Sequence, residues 1–340
     1  LFFIILFLFY HAIRLVNEMN RKTKIIATVG PSVHTKEKIH ELIESGVNVL
    51  RLNFSHGSYE DHKQVVSWAR EYSKPIAIMQ DIQGPKIRTG KADSGTFYDA
   101  GQTIDITNSD SNSNATGVCI NYENLLKDIK TGERIFIDDG QIILRVTESD
   151  VSNMKALVEV GGELRDNQGV AFPDSQLSVS AITLKDKEDL IFGEEIGVDI
   201  VAVSFVRKAS DIREVRKLVN KEIKIIAKIE LKEAMKNLDS IIDEADGVMV
   251  ARGDLGVQLP LEQVPFAQKM ILDTANYKGK ISITATEMLQ SMKSSFRPTR
   301  AEVTDITNAI LDGTDAVMLS AETSIGEHPN IVVKVMSSIC

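Results

Sequence analysis

Cysteine and basic charge are scarce in this chain of 340 residues. Its two cysteines, Cys119 and Cys340, lie far apart and in no metal-ligand spacing. This excludes a disulfide framework and fits a reducing compartment. Acidic residues outnumber basic ones by 48 to 39, and the net charge of -9 argues against a protein that binds nucleic acid. A phosphorylated substrate is compatible with this charge, because a few local cations suffice to bind it.

Long apolar runs are also missing. The apolar segment at residues 1–10 is shorter than the roughly 20 residues that span a bilayer. It lacks the cationic leader and the small-residue cleavage site of a signal peptide. Met19 is followed by polar residues and then by a strand pattern, so we expect Met19 to be the true start and residues 1–18 to be an upstream or gene-calling artefact. A short membrane anchor is the alternative. We predict a cytoplasmic protein without membrane contact.

Apolar strands alternate with amphipathic helices along most of the chain. The predicted strands are Lys24–Val29, Val47–Leu52, Pro75–Gln80, Ile200–Ser204, Ile223–Ile229, Gly247–Ala251, Lys280–Ala285 and Ala316–Ser320. Eight near-continuous apolar strands, each followed by a helix, predict an α/β protein with a (β/α)8 TIM barrel. A doubly wound sheet is the alternative, but it rarely has eight units, and the glycine fingerprint that it uses for dinucleotides is missing.

The alternation of long apolar strands with helices stops after the third strand. Residues 87–173 are rich in Gly, Asn, Asp, Ser and Thr, with short alternating runs such as Thr103–Ile106 and Arg134–Ile137. These runs indicate short strands joined by turns, and hence a small all-β domain inserted as a lid. The first part of the barrel is then residues 19–86 and the second part residues 174–340.

Polar side chains collect where the predicted strands end, which is the face of a TIM barrel that carries active sites. From the second to the eighth strand they are Arg51, Asn53, Ser55, Asp81, Lys86, Ser204, Arg207, Lys228, Glu230, Arg252, Asp254, Thr286, Glu287, Ser320 and Glu322. Glu230 and Asp254 suit a hard cation that keeps several waters, such as Mg2+. Arg51 and Lys228 would face an anion such as a phosphoryl group. The backbone N–H groups of Gly253 and Asp254 would suit a carboxylate.

Each of these side chains also has a plainer interpretation as a solvated loop residue. Arg252–Asp254 would need an exposed loop tip to act as an adhesion tripeptide, but it follows a buried strand. Ser55 and His56 would fit a hydrolase triad, but no Gly-x-Ser-x-Gly elbow accompanies them. A Walker-type phosphate loop is also missing. The coincidence of so many polar strand ends on one face favours a catalytic site.

Several of these strand ends belong to longer motifs. The motifs are Lys24–Ser32, Arg51–Gly57, Gly84–Gly90, Ala227–Glu230, Met249–Gly256, Thr286–Leu289, Arg297–Glu302 and Ser320–Thr323. In this order, over residues 22–340, they resemble the pyruvate kinase family. The resemblance implies a phosphotransferase of the last step of glycolysis, which transfers the phosphoryl group of phosphoenolpyruvate to ADP and gives ATP and pyruvate. The lid would close over the site, and an oligomer would form through the barrel.

The resemblance also implies a role for individual residues. Mg2+ (or Mn2+) would be held by Glu230 and Asp254, and Lys228 would stabilise charge on the transferring phosphoryl group and on the enolate oxygen. Arg51 would contact phosphate. Thr286 would lie on the proton route and, with Gly253 and Asp254, would hold the substrate carboxylate. The ADP site would comprise Asn53, Ser55, His56 and Arg88.

Three departures from the family pattern set this chain apart. The family binds K+ through residues matching Asn53, Ser55, Asp81 and Ile82 and has Glu where this chain has Lys86. The lid has Gln168 where a lysine is expected to contact nucleotide phosphates, and Arg165 is the candidate substitute. The family's C-terminal domain has no counterpart before Cys340, so a truncated fragment, inactive or regulatory, is one alternative. A metal-dependent lyase of the phosphoenolpyruvate/pyruvate barrel group is the other.

The Lys86 ammonium would supply the monovalent charge that K+ otherwise provides. Replacing K+ by a bulky organic cation should therefore leave ATP formation from phosphoenolpyruvate and ADP nearly unchanged. Lys86→Glu should create a K+ requirement. A strong stimulation of the unmodified protein by K+ would contradict this prediction.

Overall fold

The computed structural model describes residues 21–109 and 111–340. Within these ranges, eight parallel strands close into a barrel, and two smaller sheets form the insertion. The predicted fold class, a (β/α)8 barrel with a β lid after the third strand, is confirmed. No helix in the described ranges is long and apolar enough to cross a membrane. The predictions for residues 1–18 concern a segment outside these ranges.

Three barrel strands precede the insertion. The elements are β1 (Lys24–Thr28), α1 (Lys36–Ser45), β2 (Val49–Asn53), α2 (Tyr59–Arg70) and β3 (Ala77–Ile82). Local chemistry sets the helix ends. The Thr35 hydroxyl accepts a hydrogen bond from the N–H of Lys38 at the start of α1, and Gly46 ends that helix at a left-handed φ of 119°. Ser58 and Asp61 form a reciprocal capping box at the start of α2.

The inserted lid contains short strands and one short helix. They are β4 (Phe97–Tyr98), β5 (Thr103–Thr107), β6 (Gly117–Cys119), α3 (Leu125–Asp128), β7 (Arg134–Ile137), β8 (Ile142–Ser149), β9 (Met154–Val160), β10 (Gly162–Glu163) and β11 (Val170–Ala171). Six of the strands form one sheet in the order β11-β7-β8-β9-β5-β6, and β10 pairs with β4. Ile104 and Ile106 of β5 alternate with exposed residues and enter a lid core that is separate from the barrel core.

The second part of the barrel supplies five strands. The elements are α4 (Leu184–Ile196), β12 (Ile200–Val203), α5 (Ala209–Arg216), β13 (Lys224–Ile229), α6 (Lys232–Lys236), α7 (Leu238–Glu244), β14 (Gly247–Ala251), α8 (Arg252–Gln258), α9 (Val264–Tyr277), β15 (Ile281–Ala285), α10 (Arg300–Leu311), β16 (Ala316–Leu319), α11 (Ala321–Ser324) and α12 (Pro329–Ile339). Strand β12 pairs with β3 across the insertion, and β16 pairs with β1 to close the barrel.

The two-residue period of the strands decides which side chains enter the barrel. On β13, Ile225 packs in the layer between strands and helices, whereas Ile226 joins the cluster inside the barrel. Lys228 takes the next inward position on that strand. Arg51 and Asp81 stand in the same relation to inward residues of β2 and β3. Three charged side chains are therefore directed into the carboxyl end of the barrel.

Some element ends differ from the sequence-based prediction. The helix predicted from Lys232 to Glu244 is divided at Asn237, which leaves helical geometry and donates its side-chain N–H to the carbonyl of Arg207 at 2.8 Å. Strand β3 runs on to Ile82, so that Asp81 lies within the strand and pairs in register with Asn53 of β2. Both differences come from contacts between distant segments, which a local pattern does not report.

Candidate active site

A cleft of about 430 Å³ lies between the carboxyl end of the barrel and the lid. Its lining includes Arg207, Glu230 and Asp254 from the barrel strand ends, and Phe136, Asp139 and Phe172 from the lid. Lys86 lines it at the point where the chain passes from barrel to lid. Four of the polar residues predicted at strand ends, Lys86, Arg207, Glu230 and Asp254, thus line a cleft that both domains form.

Lys228 is a buried cation beside Glu230, which lines the cleft. Its side chain is 10% exposed, and its Nζ lies 3.1 Å from Asp81 Oδ1 and 2.9 Å from Glu230 Oε1. It also donates to the Ser204 hydroxyl at 2.7 Å. Three neighbouring strand ends therefore meet at one ammonium group, through Asp81 of β3, Ser204 after β12 and Glu230 after β13.

Arg51 adds a second cation to the same cluster. Its Nε donates to Asp81 Oδ2 at 2.7 Å, and one terminal nitrogen donates to the Thr28 hydroxyl at 3.0 Å. Asp81 is 2% exposed and bridges Arg51 and Lys228 with its two oxygens. Asp81 thus pairs with two cations at once, and Glu230 is the second carboxylate at Lys228.

The charges shift one another's pKa values. Burial alone would lower the pKa of Lys228, but Asp81 and Glu230 outweigh burial and raise it. Burial would raise the pKa of Asp81, but Lys228 and Arg51 together lower it. The pKa of Glu230 is raised, because burial and the charge of Asp254 outweigh Lys228. Lys228 and Asp81 thus favour each other's ionised form, whereas burial and Asp254 disfavour the ionised form of Glu230.

Glu230 and Asp254 form the candidate Mg2+ site. Glu230 is 1% exposed and accepts a hydrogen bond from the backbone N–H of Phe205 at 2.7 Å. No cluster of three or more His, Cys, Asp or Glu with metal-binding geometry occurs in residues 21–109 and 111–340. A pair of mutually repelling carboxylates nevertheless fits Mg2+, which keeps several waters and takes further oxygens from a substrate.

Thr286 and the start of α8 form a second group beside the cleft. The Gly253 N–H donates to the Thr286 hydroxyl oxygen at 2.9 Å, and that hydroxyl donates to the Ala285 carbonyl at 2.6 Å. Thr286 and Glu287 have φ values of 67° and 54°, in the left-handed region that residues with a Cβ seldom adopt. Backbone strain of this kind concentrates at functional sites.

Comparison with known proteins identifies the architecture that carries these groups. A family model described as the pyruvate kinase barrel domain matches residues 20–333. The chain belongs to the pyruvate kinase family. This agrees with the resemblance seen in the sequence motifs, and the match identifies the barrel described above with the barrel domain of that family.

Three relatives illustrate how far the similarity extends. Pyruvate kinase 2 of Synechocystis sp. is 48% identical over 331 residues, which cover 94% of this chain and 56% of that protein. The pyruvate kinase of Corynebacterium glutamicum is 45% identical over 329 residues, which cover 94% and 69%. That of Geobacillus stearothermophilus is 44% identical over 332 residues, which cover 94% and 57%. The chain thus spans between about half and two thirds of the length of these pyruvate kinases.

The residues predicted for nucleotide and K+ lie at the end of β2 and in the turn after it, at the end of β3, and at the start of the lid. Asn53 accepts the N–H of Ser55 at 3.1 Å, and the N–H of His56 donates to the Asn53 carbonyl at 3.0 Å. Arg88 donates to the carbonyl of Asn167 in the lid at 2.9 Å. These contacts order the turn after β2 and hold Arg88 against a distant segment of the lid, and the nucleotide-binding roles remain predictions.

Lys86 reaches toward the lid. Its Cε lies close to Gly169. Burial and the charge of Asp254 raise the pKa of Asp139, and the charge of Lys86 partly opposes that rise. Within the described ranges, no hydrogen bond or ion pair joins the Lys86 ammonium to Asn53, Ser55 or Asp81. The replacement of K+ by Lys86 therefore stays a prediction for solution experiments.

Several residues of the site were not singled out from the sequence. Thr28 holds Arg51, Asp139 faces Asp254 across the cleft, and Asp305 of α10 pairs with Arg252. Position at the end of β1 is a signal that would have pointed to Thr28. Glu322, predicted among the polar strand ends, is fully buried and accepts backbone N–H groups of Leu289 and Ser320, so it braces loops.

Removal of the Asp81 charge should destabilise the fold, because Arg51 and Lys228 would lose their shared partner in a buried position. We expect Asp81→Asn to lower the free energy of unfolding by about 3 kcal/mol, measured by urea denaturation near neutral pH. Folding lowers the pKa of Asp81, so its stabilisation is present above the ordinary pKa of aspartate and is lost as the pH falls. The difference between the two proteins should therefore shrink in acid.

Glu214→Gln is the matched control. Glu214 is 42% exposed and pairs with Lys187 at 3.1 Å on the surface, so its loss should cost less than about 1 kcal/mol. Equal effects of the two substitutions would contradict a special role for the buried cluster.

Proposed function

We propose that this chain transfers the phosphoryl group of phosphoenolpyruvate to ADP, giving ATP and pyruvate. The observation that carries the proposal is the buried ammonium of Lys228, set between Asp81 and Glu230 beside the carboxylate of Asp254. Membership of the pyruvate kinase family supports it. A preorganised cation with adjoining carboxylates suits a reaction in which charge moves between phosphoryl oxygens and an enolate.

The reaction requires one bond to break and another to form at phosphorus. The bond from phosphorus to the enol oxygen of phosphoenolpyruvate breaks, and a β-phosphate oxygen of ADP forms the new bond. The electron pair that stays on the enol oxygen gives the enolate of pyruvate, which takes a proton at its methylene carbon. Lys228 stabilises the negative charge on the phosphoryl group and on the enolate oxygen, while Arg51 holds a phosphoryl oxygen.

Bound Mg2+ would neutralise charge on the oxygens of phosphate and enolate. Glu230 and Asp254 would hold it, which accounts for placing two repelling carboxylates beside each other at the mouth of the barrel. Mn2+ has the same oxygen preference and would serve in its place.

Thr286 and the first turn of α8 would receive the rest of the substrate. The N–H groups of Gly253 and Asp254 suit the substrate carboxylate, since they begin a helix and carry partial positive charge. The Thr286 hydroxyl accepts the Gly253 N–H and donates to the Ala285 carbonyl, which fixes the position of its oxygen. It would lie on the route by which a proton from solvent reaches the methylene carbon. Catalysis is then chiefly positioning and electrostatics.

The nucleotide would occupy the side of the cleft formed by Asn53, Ser55, His56 and Arg88. Arg165 is the lid cation proposed to contact its phosphates, because its guanidinium is exposed and pairs with Asp138 at 2.7 Å beside the cleft-lining Asp139. Gln168 is buried and accepts the N–H of Arg165 at 2.9 Å. Gln168 therefore suits a structural role better than a contact with phosphate.

We also propose that the protein acts in the cytoplasm as a homo-oligomer that assembles through the barrel, without nucleic acid or membrane partners. Large exposed apolar side chains at and just before α9 support this proposal. They are Leu261, Phe266 and Met270, which are exposed by 76%, 73% and 55%. Large apolar side chains grouped in this way often lie in protein interfaces. Sedimentation velocity that gives a monomer at micromolar concentration would contradict it.

The direct test is a coupled assay for ATP formation from phosphoenolpyruvate and ADP with Mg2+. Lys228→Met should lower kcat by about 10²- to 10³-fold, because it removes a preorganised charge from the transition state. The KM for ADP should change little. Removal of Mg2+ by a chelator should abolish the activity.

Lys187→Met is the control for Lys228→Met, since Lys187 is a surface lysine 40% exposed and paired with Glu214. It should retain full activity. Absence of ATP formation at millimolar substrate would contradict the proposal and favour a fragment without this activity. Consumption of phosphoenolpyruvate without ADP would favour lyase chemistry.

A further inference from the structure

Arg252 directly precedes the Gly253-Asp254 turn but is directed away from the cleft. Its side chain is 10% exposed, and its guanidinium forms two hydrogen bonds to the carboxylate of Asp305, at 2.8 and 2.6 Å. Asp305 lies on α10, well separated in sequence from α8 and β15. Both hydrogen bonds come from one terminal nitrogen, which donates to the two carboxylate oxygens and so holds that side of the guanidinium at Asp305.

The remaining donors of Arg252 point at the turn after β15. One terminal nitrogen donates to the Thr286 carbonyl at 2.5 Å and to Met288 Sδ at 2.8 Å, and Nε donates to the carbonyls of Ala285 and Thr286 at 3.2 Å each. The Arg252 guanidinium thus holds two successive backbone carbonyls of the turn that contains Thr286, the residue predicted to lie on the proton route.

The turn that Arg252 holds is strained. Thr286 and Glu287 both have positive φ, and threonine is β-branched, so left-handed geometry is unfavourable for it. That conformation persists only where neighbouring groups determine it. It also sets where the Thr286 hydroxyl stands relative to the Gly253 N–H, which are 2.9 Å apart.

We propose that Arg252, fixed by Asp305, is a positioning residue that holds Thr286 and the Gly253-Asp254 turn in register with each other. The inference rests on the proposed function, because the two segments are those assigned to the substrate carboxylate and the proton route. Arg252 acts through Thr286 and the backbone and does not itself touch the substrate. Substitution of Arg252 should therefore impair the use of phosphoenolpyruvate and the binding of pyruvate, and leave the KM for ADP nearly unchanged.

The experiment compares Arg252→Lys and Asp305→Ala, singly and together, with the unmodified protein. Lysine keeps the charge but has a single ammonium, which does not span Asp305 and the Thr286 carbonyl in the fork geometry of arginine. Each single variant should lose about 10- to 100-fold in kcat/KM for phosphoenolpyruvate, as expected when a reacting group is misplaced by about 1 Å. The KM for ADP should stay within about twofold.

The double variant separates a shared role from independent damage. If both residues act through one arrangement, the double variant should be no worse than the poorer single variant, whereas independent effects would multiply. Arg213→Lys is the control, because Arg213 pairs with Glu244 at 2.6 Å on the surface between α5 and α7, and it should retain full activity.

Binding of pyruvate in the presence of Mg2+, followed by isothermal titration calorimetry, provides a readout that does not depend on turnover. Affinity should fall about tenfold in Arg252→Lys and Asp305→Ala, with the melting temperature of Arg252→Lys close to that of the unmodified protein. Unchanged affinity and unchanged kcat/KM in both variants would overturn the inference while leaving the proposed function intact.

The failure of the proposed function would look different. If the unmodified protein binds pyruvate but forms no ATP, the phosphotransfer proposal falls, and the loss of affinity in the variants still supports positioning by Arg252. If the unmodified protein neither binds pyruvate nor forms ATP, both proposals fall. A loss of ADP affinity equal to the loss for phosphoenolpyruvate would overturn the inference, because it would indicate general damage to the barrel.

Discussion

The ion cluster of Arg51, Asp81 and Lys228 is the constraint around which the carboxyl end of the barrel is arranged. Charges placed out of water are costly unless each has a partner, and here one carboxylate serves two cations. Closure of the barrel supplies the partners, since β2, β3 and β13 must be in register before these side chains meet. The ion cluster can therefore form only when these strands have the correct order and register.

A second layer of contacts holds the loops around that cluster. Buried Glu322 accepts backbone N–H groups from the loops after β15 and β16, and Arg252 donates to backbone carbonyls at the start of the loop after β15. Both use a single charged side chain to satisfy several backbone groups that no strand or helix would satisfy. The loops can then depart from regular geometry, as the positive φ of Thr286 illustrates. The rigid strands determine where the chemistry lies, and these braces determine the orientation of the groups that carry it.

Much of this arrangement was predictable from the sequence, for a physical reason. Alternation along a barrel strand carries directional information, so Lys228 and Glu230 could be assigned to the inside and to the carboxyl end once the strand was recognised. The inserted lid could be predicted because the long strand–helix alternation gives way to short alternating runs after the third strand. The partnership of Arg252 with Asp305, the break at Asn237 and the direction of Lys86 towards Gly169 could not be predicted. Each depends on the approach of segments distant in sequence, which neither propensity nor spacing encodes.

The separate core of the lid has a consequence for how the chain folds. Strands β3 and β12 are neighbours in the barrel, yet the whole lid lies between them in sequence. Bringing the ends of a flexible segment together costs entropy that grows with its length, by about 2 kcal/mol for each tenfold increase. A lid that folds first around its own apolar cluster shortens the effective loop and reduces that cost. The inserted domain would then act as a tether during assembly, drawing the two parts of the barrel together before any substrate reaches the cleft.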